Sequence, residues 1–373
     1  MEKYQTEITN AIKLLIYKEN ASLLVKLDFE DDNTFLEPLL FAYFNSKQYS
    51  SIPKELLKEI LQGYFIKKEP IKIKYSFNKN NIAYIPKLGY FNGELELIEP
   101  ILEIYDLEIV KELHPLLNSY LFEFYKGHIT NSTPEYESVW SNHIATLEEA
   151  LKVLKDNTPD YFKEFKKANK KIFIHNNPKI LNFTSIETLG MLYLYTTQKS
   201  STLMYFIEEL IHQGAHNILY HIIFNKKDFF KIDVNNILMR DLTKMEWDYR
   251  NVYGAFHGVF TVLKRLECYD ILLQKNILKG KDKHELLGRF ADQFCRVNTG
   301  LELLNLDEVY TEKGKKLYFE LNSKCDFILK KYNKLKFEFD LSKRDLDFRY
   351  EQFCKYNSFQ EFELKEREGY YNF

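Results

Sequence analysis

The sequence has few cysteines, no long apolar run and almost no net charge, and each absence argues against a class of protein. Four cysteines are present and no two have CxxC spacing, which argues against a zinc cluster or a thioredoxin-like motif. No apolar stretch reaches the length of a bilayer span, and the charged start MEKYQTEITN lacks the apolar core of a signal peptide. We therefore expect a cytoplasmic protein with no membrane partner.

The charge balance gives no reason to expect a nucleic-acid partner. The chain has 52 basic and 54 acidic residues, for a net charge of −2. Aromatic residues make up 16% of it, which predicts a well-packed core rather than disorder. A chain of 373 residues is long enough for one large domain or two ordinary ones.

Hydrophobic periodicity predicts an α+β protein that is mostly helical, with a small central sheet. The first 65 residues have helical spacing, and further helices are predicted at about 203–223 and 253–273. Alternation over 70–75, with apolar runs at 82–85, 94–98 and 172–174, predicts strands. The polar stretch 131–137 is the best candidate boundary. We expect three regions that form one compact unit, namely 1–135, a catalytic core at 136–290, and C-terminal helices at 291–373.

The histidine pair His212 and His216 is the first candidate functional feature. On a helix, residues four apart share one face, so the two imidazoles can converge on one divalent metal ion. Spacing alone is weak evidence, because nine histidines in this length give about 0.2 such pairs by chance. The flanking residues are apolar, however, and two histidines without partners are costly in a buried helix. We therefore predict a buried metal-binding helix.

Gln213 stands where the HExxH metalloproteases have their catalytic glutamate. An amide cannot take a proton from water at neutral pH, which argues against a peptidase. Glu208 and Glu209 lie one turn earlier, and either can orient His212 as a hydrogen-bond acceptor. Both also fit an ordinary charged helix face.

A second segment follows the histidine pair, and the two together carry a resemblance. The first is HQGAH, which begins at His212, and the second contains Arg250 and the run Phe256-His257-Gly258-Val259. With residues 182–194 upstream, this order resembles the HExxH-type, α-ketoglutarate-dependent peptide β-hydroxylases that modify ribosomally made peptides. The resemblance covers about residues 172–268, and glutamine at position 213 departs from the family motif.

The resemblance implies iron(II), α-ketoglutarate and molecular oxygen, with a precursor peptide as partner and substrate. It also implies that His212, His216 and His257 are the metal ligands; Asp248 is an alternative to His257. Gln213 would then hydrogen-bond a metal-bound water or the cosubstrate, since an oxygenase needs no general base there. The oligomeric state stays open.

The far carboxylate of α-ketoglutarate needs a cation. Arginine matches a carboxylate best, so Arg250 is the first candidate, Arg265 the second and Lys264 the third. Each also fits a solvated charge.

Two other functions compete with the oxygenase. A zinc metallohydrolase would need Glu208 or Glu209 as its base, because Gln213 cannot serve. A non-catalytic, peptide-binding relative would have kept the fold and lost the metal. The predicted strands at 70–98 would receive an extended peptide by strand addition if one of them forms a sheet edge.

Overall fold

The computed structural model describes residues 2–47, 52–117, 139–178, 180–197, 201–298, 300–345 and 347–373. Helices predominate there and two small sheets accompany them, which confirms the α+β class. The candidate boundary at 131–137 lies outside the described residues. No helix in the described part is both long and apolar enough to cross a membrane.

Thirteen α-helices fall within the described ranges. They are α1 (Glu2–Leu24), α2 (Asp32–Phe35), α3 (Pro38–Ser46), α4 (Lys54–Leu61), α5 (Trp140–Asn157), α6 (Pro159–Ala168), α7 (Leu203–Ile222), α8 (Met239–Thr243), α9 (Val252–Lys275), α10 (Gly280–Asn298), α11 (Glu312–Lys331), α12 (Tyr350–Phe353) and α13 (Phe359–Arg367). Short 3₁₀ turns also occur, among them Lys226–Asp228, a few residues after the end of α7.

The strands form two separate sheets. They are β1 (Ala83–Ile85), β2 (Gly89–Phe91), β3 (Leu97–Pro100), β4 (Leu102–Ile104), β5 (Leu107–Val110), β6 (Lys171–His175) and β7 (Met191–Tyr195). The first three form an antiparallel sheet in the order β1-β2-β3. The other sheet has the order β4-β5-β6-β7, with an antiparallel first pair and two parallel pairs.

The strand predictions are correct in part. The run at 82–85 is strand β1, 94–98 overlaps β3, and 172–174 lies within β6. The strand predicted at 70–75 is wrong, because no strand forms there. The carboxylate of Glu59 instead accepts the backbone N–H groups of Lys74, at 2.8 Å, and Tyr75, at 3.1 Å. A side chain thus takes the hydrogen bonds that a neighbouring strand would have made.

Strands β1 and β3 are the edges of the first sheet, and β3 is the more exposed of the two. Leu97 and Ile98 on it are 53% and 54% exposed. A register irregularity lies in its pairing with β2, and Pro100 at its end has no N–H to donate. Such features blunt an edge against further pairing. Strand addition of a peptide therefore stays a prediction.

The chain divides into two compact units that interleave along the sequence. Unit 1 comprises Met1–Glu148, Lys163–Ser201 and Tyr220–Phe224. Unit 2 comprises Glu149–Phe162, Thr202–Leu219 and Asn225–Phe373. The three consecutive regions expected from sequence divide the chain differently and stay a prediction.

Unit 1 contains both sheets and a core built on its N-terminal helices. Ile8, Ile12 and Ile16 recur at helical spacing on α1, and all three are buried in this core. Leu15, which shares the apolar pattern, is 39% exposed on the outer face. The core also contains Leu39 of α3 and residues of the strands.

Unit 2 contains helices α8 to α13 and most of α7. The Asn251 side chain accepts a hydrogen bond from the Gly254 backbone N–H at 2.7 Å, which caps and starts α9. Asn276 ends the same helix in the left-handed conformation, with φ 48°. Thr311 caps α11 in the same manner as Asn251 caps α9.

Candidate metal centre

Helix α7 presents the histidine pair on a buried surface. Its apolar residues Ile207, Leu210 and Ile211 are fully buried, as the flanking sequence predicts. His216 is 8% exposed, whereas the His212 side chain is 26% exposed. The helix predicted at 203–223 is confirmed as α7, and the pair lies within the part that belongs to unit 2.

Helix α9 brings the third histidine to the pair. His257 lies in the second turn after the Asn251 cap and is half-buried. The ring centroids of His212 and His216 are 4.8 Å apart, and those of His216 and His257 are 3.7 Å apart. His216 and His257, 41 positions apart in sequence, are therefore side-chain neighbours here.

The first pair has a spacing that suits a shared metal ion. Two imidazoles bound to one ion have ring centroids about 4.5–5.5 Å apart, given metal–nitrogen distances of about 2.1 Å. His212 and His216 fit this range at 4.8 Å, with planes tilted by 53°.

The second pair is stacked face to face, with an interplanar angle of 22°. Imidazole lone pairs lie in the ring plane, so two stacked rings do not point at one ion. Accordingly, among the described residues no group of three or more His, Cys, Asp or Glu side chains is arranged to hold a metal. His257 would have to turn away from the His216 ring to become a ligand.

All three imidazoles are held in the neutral form that binds metals. Burial lowers the pKa of each ring, and it lowers that of His216 well below its ordinary value. The neighbouring rings add to the effect: His257 lowers the pKa of His216, and His212 helps to bring that of His257 to about 4. Neutral imidazole has a free lone pair, so no proton needs to leave before a metal binds.

One buried nitrogen in this cluster lacks a hydrogen bond. Nδ1 of His216 is buried without a hydrogen-bond partner in the described part of the chain. An unpaired polar atom in a closed environment costs about 1–3 kcal/mol. A ligand bound at this atom would remove the cost. Nε2 of His114 and Nε2 of His284 are also buried without a partner among the described residues, so the atom supports a site only together with the neighbouring rings.

Glu209 and Gln213 together support His212. Oε2 of Glu209 accepts a hydrogen bond from Gln213 Nε2 at 3.1 Å and lies 3.6 Å from His212 Nδ1. Burial raises the pKa of Glu209, but its contacts with His212 and Gln213 outweigh this and lower it overall. An ionised carboxylate beside Nδ1 favours the proton there, which leaves Nε2 of His212 as the donor for a metal.

Glu208 points into a separate, closed cluster. It accepts hydrogen bonds from Arg289 and, at 3.0 Å, from the Tyr269 hydroxyl. Burial alone would raise the pKa of Glu208, but Arg289 and Arg265 bring it down to about 2. Arg289 could not be predicted as a partner of Glu208, because the two residues lie 81 positions apart in sequence.

The two arginines expected to bind the cosubstrate both lie against carboxylates of the protein. Arg250 forms a bidentate ion pair with Asp248, with both nitrogen–oxygen distances at 2.7 Å. Arg265 is 3% exposed, and its Nε lies 3.4 Å from Glu208 Oε1. Asp248, the alternative metal ligand, therefore has both oxygens engaged.

The third cation proposed from sequence has a partner as well, since Lys264 lies 3.1 Å from Glu267. One cation near the cluster, Lys226, was not predicted from the sequence. Lys226 lies four residues after Ile222, the last residue of α7, and its charge acts on His257. Nothing in the local sequence marks it, because two lysines stand side by side there.

No protein-family model matches this chain, and no curated protein matches its sequence.

Proposed function

We propose that the chain is an iron(II)- and α-ketoglutarate-dependent oxygenase that hydroxylates a side-chain β-carbon of a ribosomally made peptide. The supporting observation is the contact between three neutral imidazoles from two helices, with a buried Nδ1 on His216 that has no partner. The choice of cosubstrate and the peptide class of substrate come from the resemblance of residues 172–268.

Each residue of the cluster has a defined part in this proposal. His212 and His216 would hold the iron, and His257 would join them once its ring turned away from that of His216. Glu209 fixes the tautomer of His212, and Gln213 holds Glu209 in place. The overall reaction consumes the peptide C–H group, α-ketoglutarate and oxygen, and gives the C–OH group, succinate and carbon dioxide.

When bound, iron(II) with α-ketoglutarate and oxygen supplies an oxidant strong enough to remove a hydrogen atom from carbon. This chemistry needs no protein base at position 213. Next to His257, a methyl group placed on Gly258 would meet nothing within 4 Å.

A metal titration tests the centre without a known peptide. Cobalt(II) is added to the purified protein without oxygen, and its visible absorption reports the number of nitrogen ligands. We expect one tight site, weakened at least 100-fold in His212→Ala and His216→Ala. His257→Ala should lower the ligand number. The matched control is His221→Asn on the same helix, which should bind cobalt as the wild type does.

Turnover tests the chemistry. Protein with iron(II), α-ketoglutarate and oxygen should release labelled carbon dioxide and succinate, and the release should stop in His212→Ala. Wild-type protein that binds no metal would instead favour the non-catalytic relative.

The hydrolase alternative depends on Glu209, since Glu208 is held by Arg289 and Tyr269. The pKa of Glu209 is lowered, which makes it a weak base. The hydrolase would be favoured if the protein cleaved casein, if a chelator stopped the cleavage, and if Glu209→Gln lost it.

A further inference from the structure

Two patches of opposite charge lie on unit 1. The lysine patch comprises residues 66–74, with four lysines and one glutamate, and the glutamate patch comprises residues 92–99, with three glutamates and no basic residue. Both patches adjoin the small hydrophobic cluster of β1 and β2, because Ile71 and Ile73 pack against it and β3 pairs with β2. The whole chain has a net charge of only −2, so each patch is a local concentration of charge.

The lysine patch presents its ammonium groups on a backbone that other side chains hold in place. Lys72 and Lys74 are exposed, whereas the residues between and before them are half-buried. Gln62 accepts the Lys72 backbone N–H at 3.2 Å, and Glu59 accepts that of Lys74 at 2.8 Å. Among the described residues neither lysine forms an ion pair. The one acid of the patch, Glu69, is bound by two lysines from outside it.

The glutamate patch is held in the same manner. Oδ1 of Asn92 accepts the backbone N–H groups of Glu94, at 3.0 Å, and Glu96, at 2.9 Å, which fixes the turn into β3. Both carboxylates are exposed, and neither forms an ion pair within the part of the chain that the structure describes. The neighbouring Leu97 and Ile98 are more than half exposed. The patch therefore combines negative charge with apolar side chains that a contact would bury.

We propose that unit 1 binds a second copy of this chain, with the lysine patch of each copy against the glutamate patch of the other. A two-fold contact uses both patches of both copies and closes at two subunits. Because both backbones are fixed before contact, little conformational entropy is lost on association. Side chains make the contact, since Pro100 and the irregular register of β3 do not favour a continuous sheet.

A second copy is the partner that accounts for both patches. An acidic peptide or an anionic membrane would engage the lysine patch alone and leave the glutamate patch without a role. Complementary charge on one chain supplies attraction and register between two copies of it. The proposal does not depend on the histidine cluster or on its chemistry.

Charge reversal followed by mixing tests the pairing. In sedimentation velocity at low salt, the full-length protein should dimerise with a Kd on the order of 10–100 μM, because small charged interfaces bind weakly. Lys72→Glu with Lys74→Glu should weaken association at least about 10-fold, and so should Glu94→Lys with Glu96→Lys. A 1:1 mixture of the two reversed proteins should associate again, because glutamates then face lysines in both contacts.

Three controls accompany the test. Lys18→Glu with Lys163→Glu makes the same change in net charge at exposed positions of unit 1 outside both patches, and it should dimerise as the wild type does. Added salt should weaken the wild-type dimer, because it screens exposed charges. Lys72→Gln with Lys74→Gln repeats the test should the reversed protein fold poorly, which circular dichroism reports.

The proposal is overturned if the wild-type protein stays monomeric, if either reversed protein dimerises as well as the wild type, or if mixing fails to restore association. Loss of association in the Lys18 and Lys163 control would overturn it too, because net charge alone would then be the cause. A monomeric wild type that binds poly-glutamate or anionic vesicles through Lys72 and Lys74 would assign the lysine patch to an acidic peptide or a membrane instead.

Discussion

Two buried polar clusters, one in each unit, differ in how completely their hydrogen bonds are satisfied. In unit 1, the Lys171 ammonium donates to Glu108, to Glu37 and, at 2.7 Å, to the Tyr84 hydroxyl. The remaining oxygens accept from other groups, among them the backbone N–H of Leu39. In unit 2, Nδ1 of His216 in the histidine cluster has no hydrogen-bond partner among the described residues.

This difference separates a structural cluster from a candidate site. The three N–H groups of the Lys171 ammonium each have an acceptor, so none is left to donate a hydrogen bond to a ligand. Burial alone would lower the pKa of Lys171, but Glu108 and Glu37 outweigh it and raise it. Glu209 raises the pKa of His212 in a similar way, but burial and the charge of Arg265 outweigh it and lower that pKa overall. A buried group that the fold leaves unpaired is the better guide to function.

Removing the Lys171 ammonium from its cluster in unit 1 should have the largest effect on stability. Lys171→Met leaves Glu37 and Glu108 buried without their counter-ion, so the free energy of unfolding should fall by about 3–5 kcal/mol. Urea unfolding measures it. Lys170→Met is the matched control, since the Lys170 ammonium donates to the Asn33 side chain and the Lys166 carbonyl and forms no ion pair among the described residues. It should cost less than about 1 kcal/mol. Equal stability of the two variants would contradict the comparison.

Acid should weaken the ion pairs that Glu208 forms in unit 2. The pKa of Glu208 is about 2 in the fold against an ordinary value of 4.5. Its stabilisation is therefore full above about pH 4.5 and is lost as the pH falls towards 2. Glu208→Gln should cost about 3 kcal/mol at pH 7 and flatten this acid dependence. Unfolding series across pH measure it; Glu320→Gln, an exposed position, should retain the wild-type slope.

Removing the carboxylate that supports His212 in the histidine cluster should lower the affinity for metal. Glu209→Ala removes the carboxylate beside His212 Nδ1, so cobalt(II) affinity should fall about 10- to 100-fold. Glu209→Gln retains an acceptor oxygen and should recover part of that loss. Calorimetry measures both. An unchanged affinity in the alanine variant would mean that Glu209 does not orient the histidine.

Adding a methyl group to α9 at Gly258 should have the smallest effect on stability. Gly258→Ala meets no atom within 4 Å and gains helix propensity, so it should stabilise the protein by about 0.5–1 kcal/mol. Gly254→Ala on the same helix would place its Cβ 2.9 Å from the capping oxygen of Asn251. That variant should be destabilised instead. Thermal unfolding compares them, and a destabilised Gly258→Ala would show that the face is closed.

Local patterns allowed much of the secondary structure to be predicted. The helices that bear His212, His216 and His257 follow from apolar periodicity, and strand β6 from a short apolar run. The prediction failed at 70–75, where alternation suggested a strand but Glu59 binds the backbone from elsewhere in the chain. Periodicity reports which residues prefer burial, and it cannot report which distant group takes a hydrogen bond.

The sequence by itself determined that His212 and His216 share a helical face, because four residues make about one turn. The tertiary structure decided what surrounds them: His257 stacked on His216, Arg250 held by Asp248, and Lys226 beside Tyr253. These contacts join residues far apart in sequence or depend on side-chain direction. They follow from how helices pack, which no local pattern encodes.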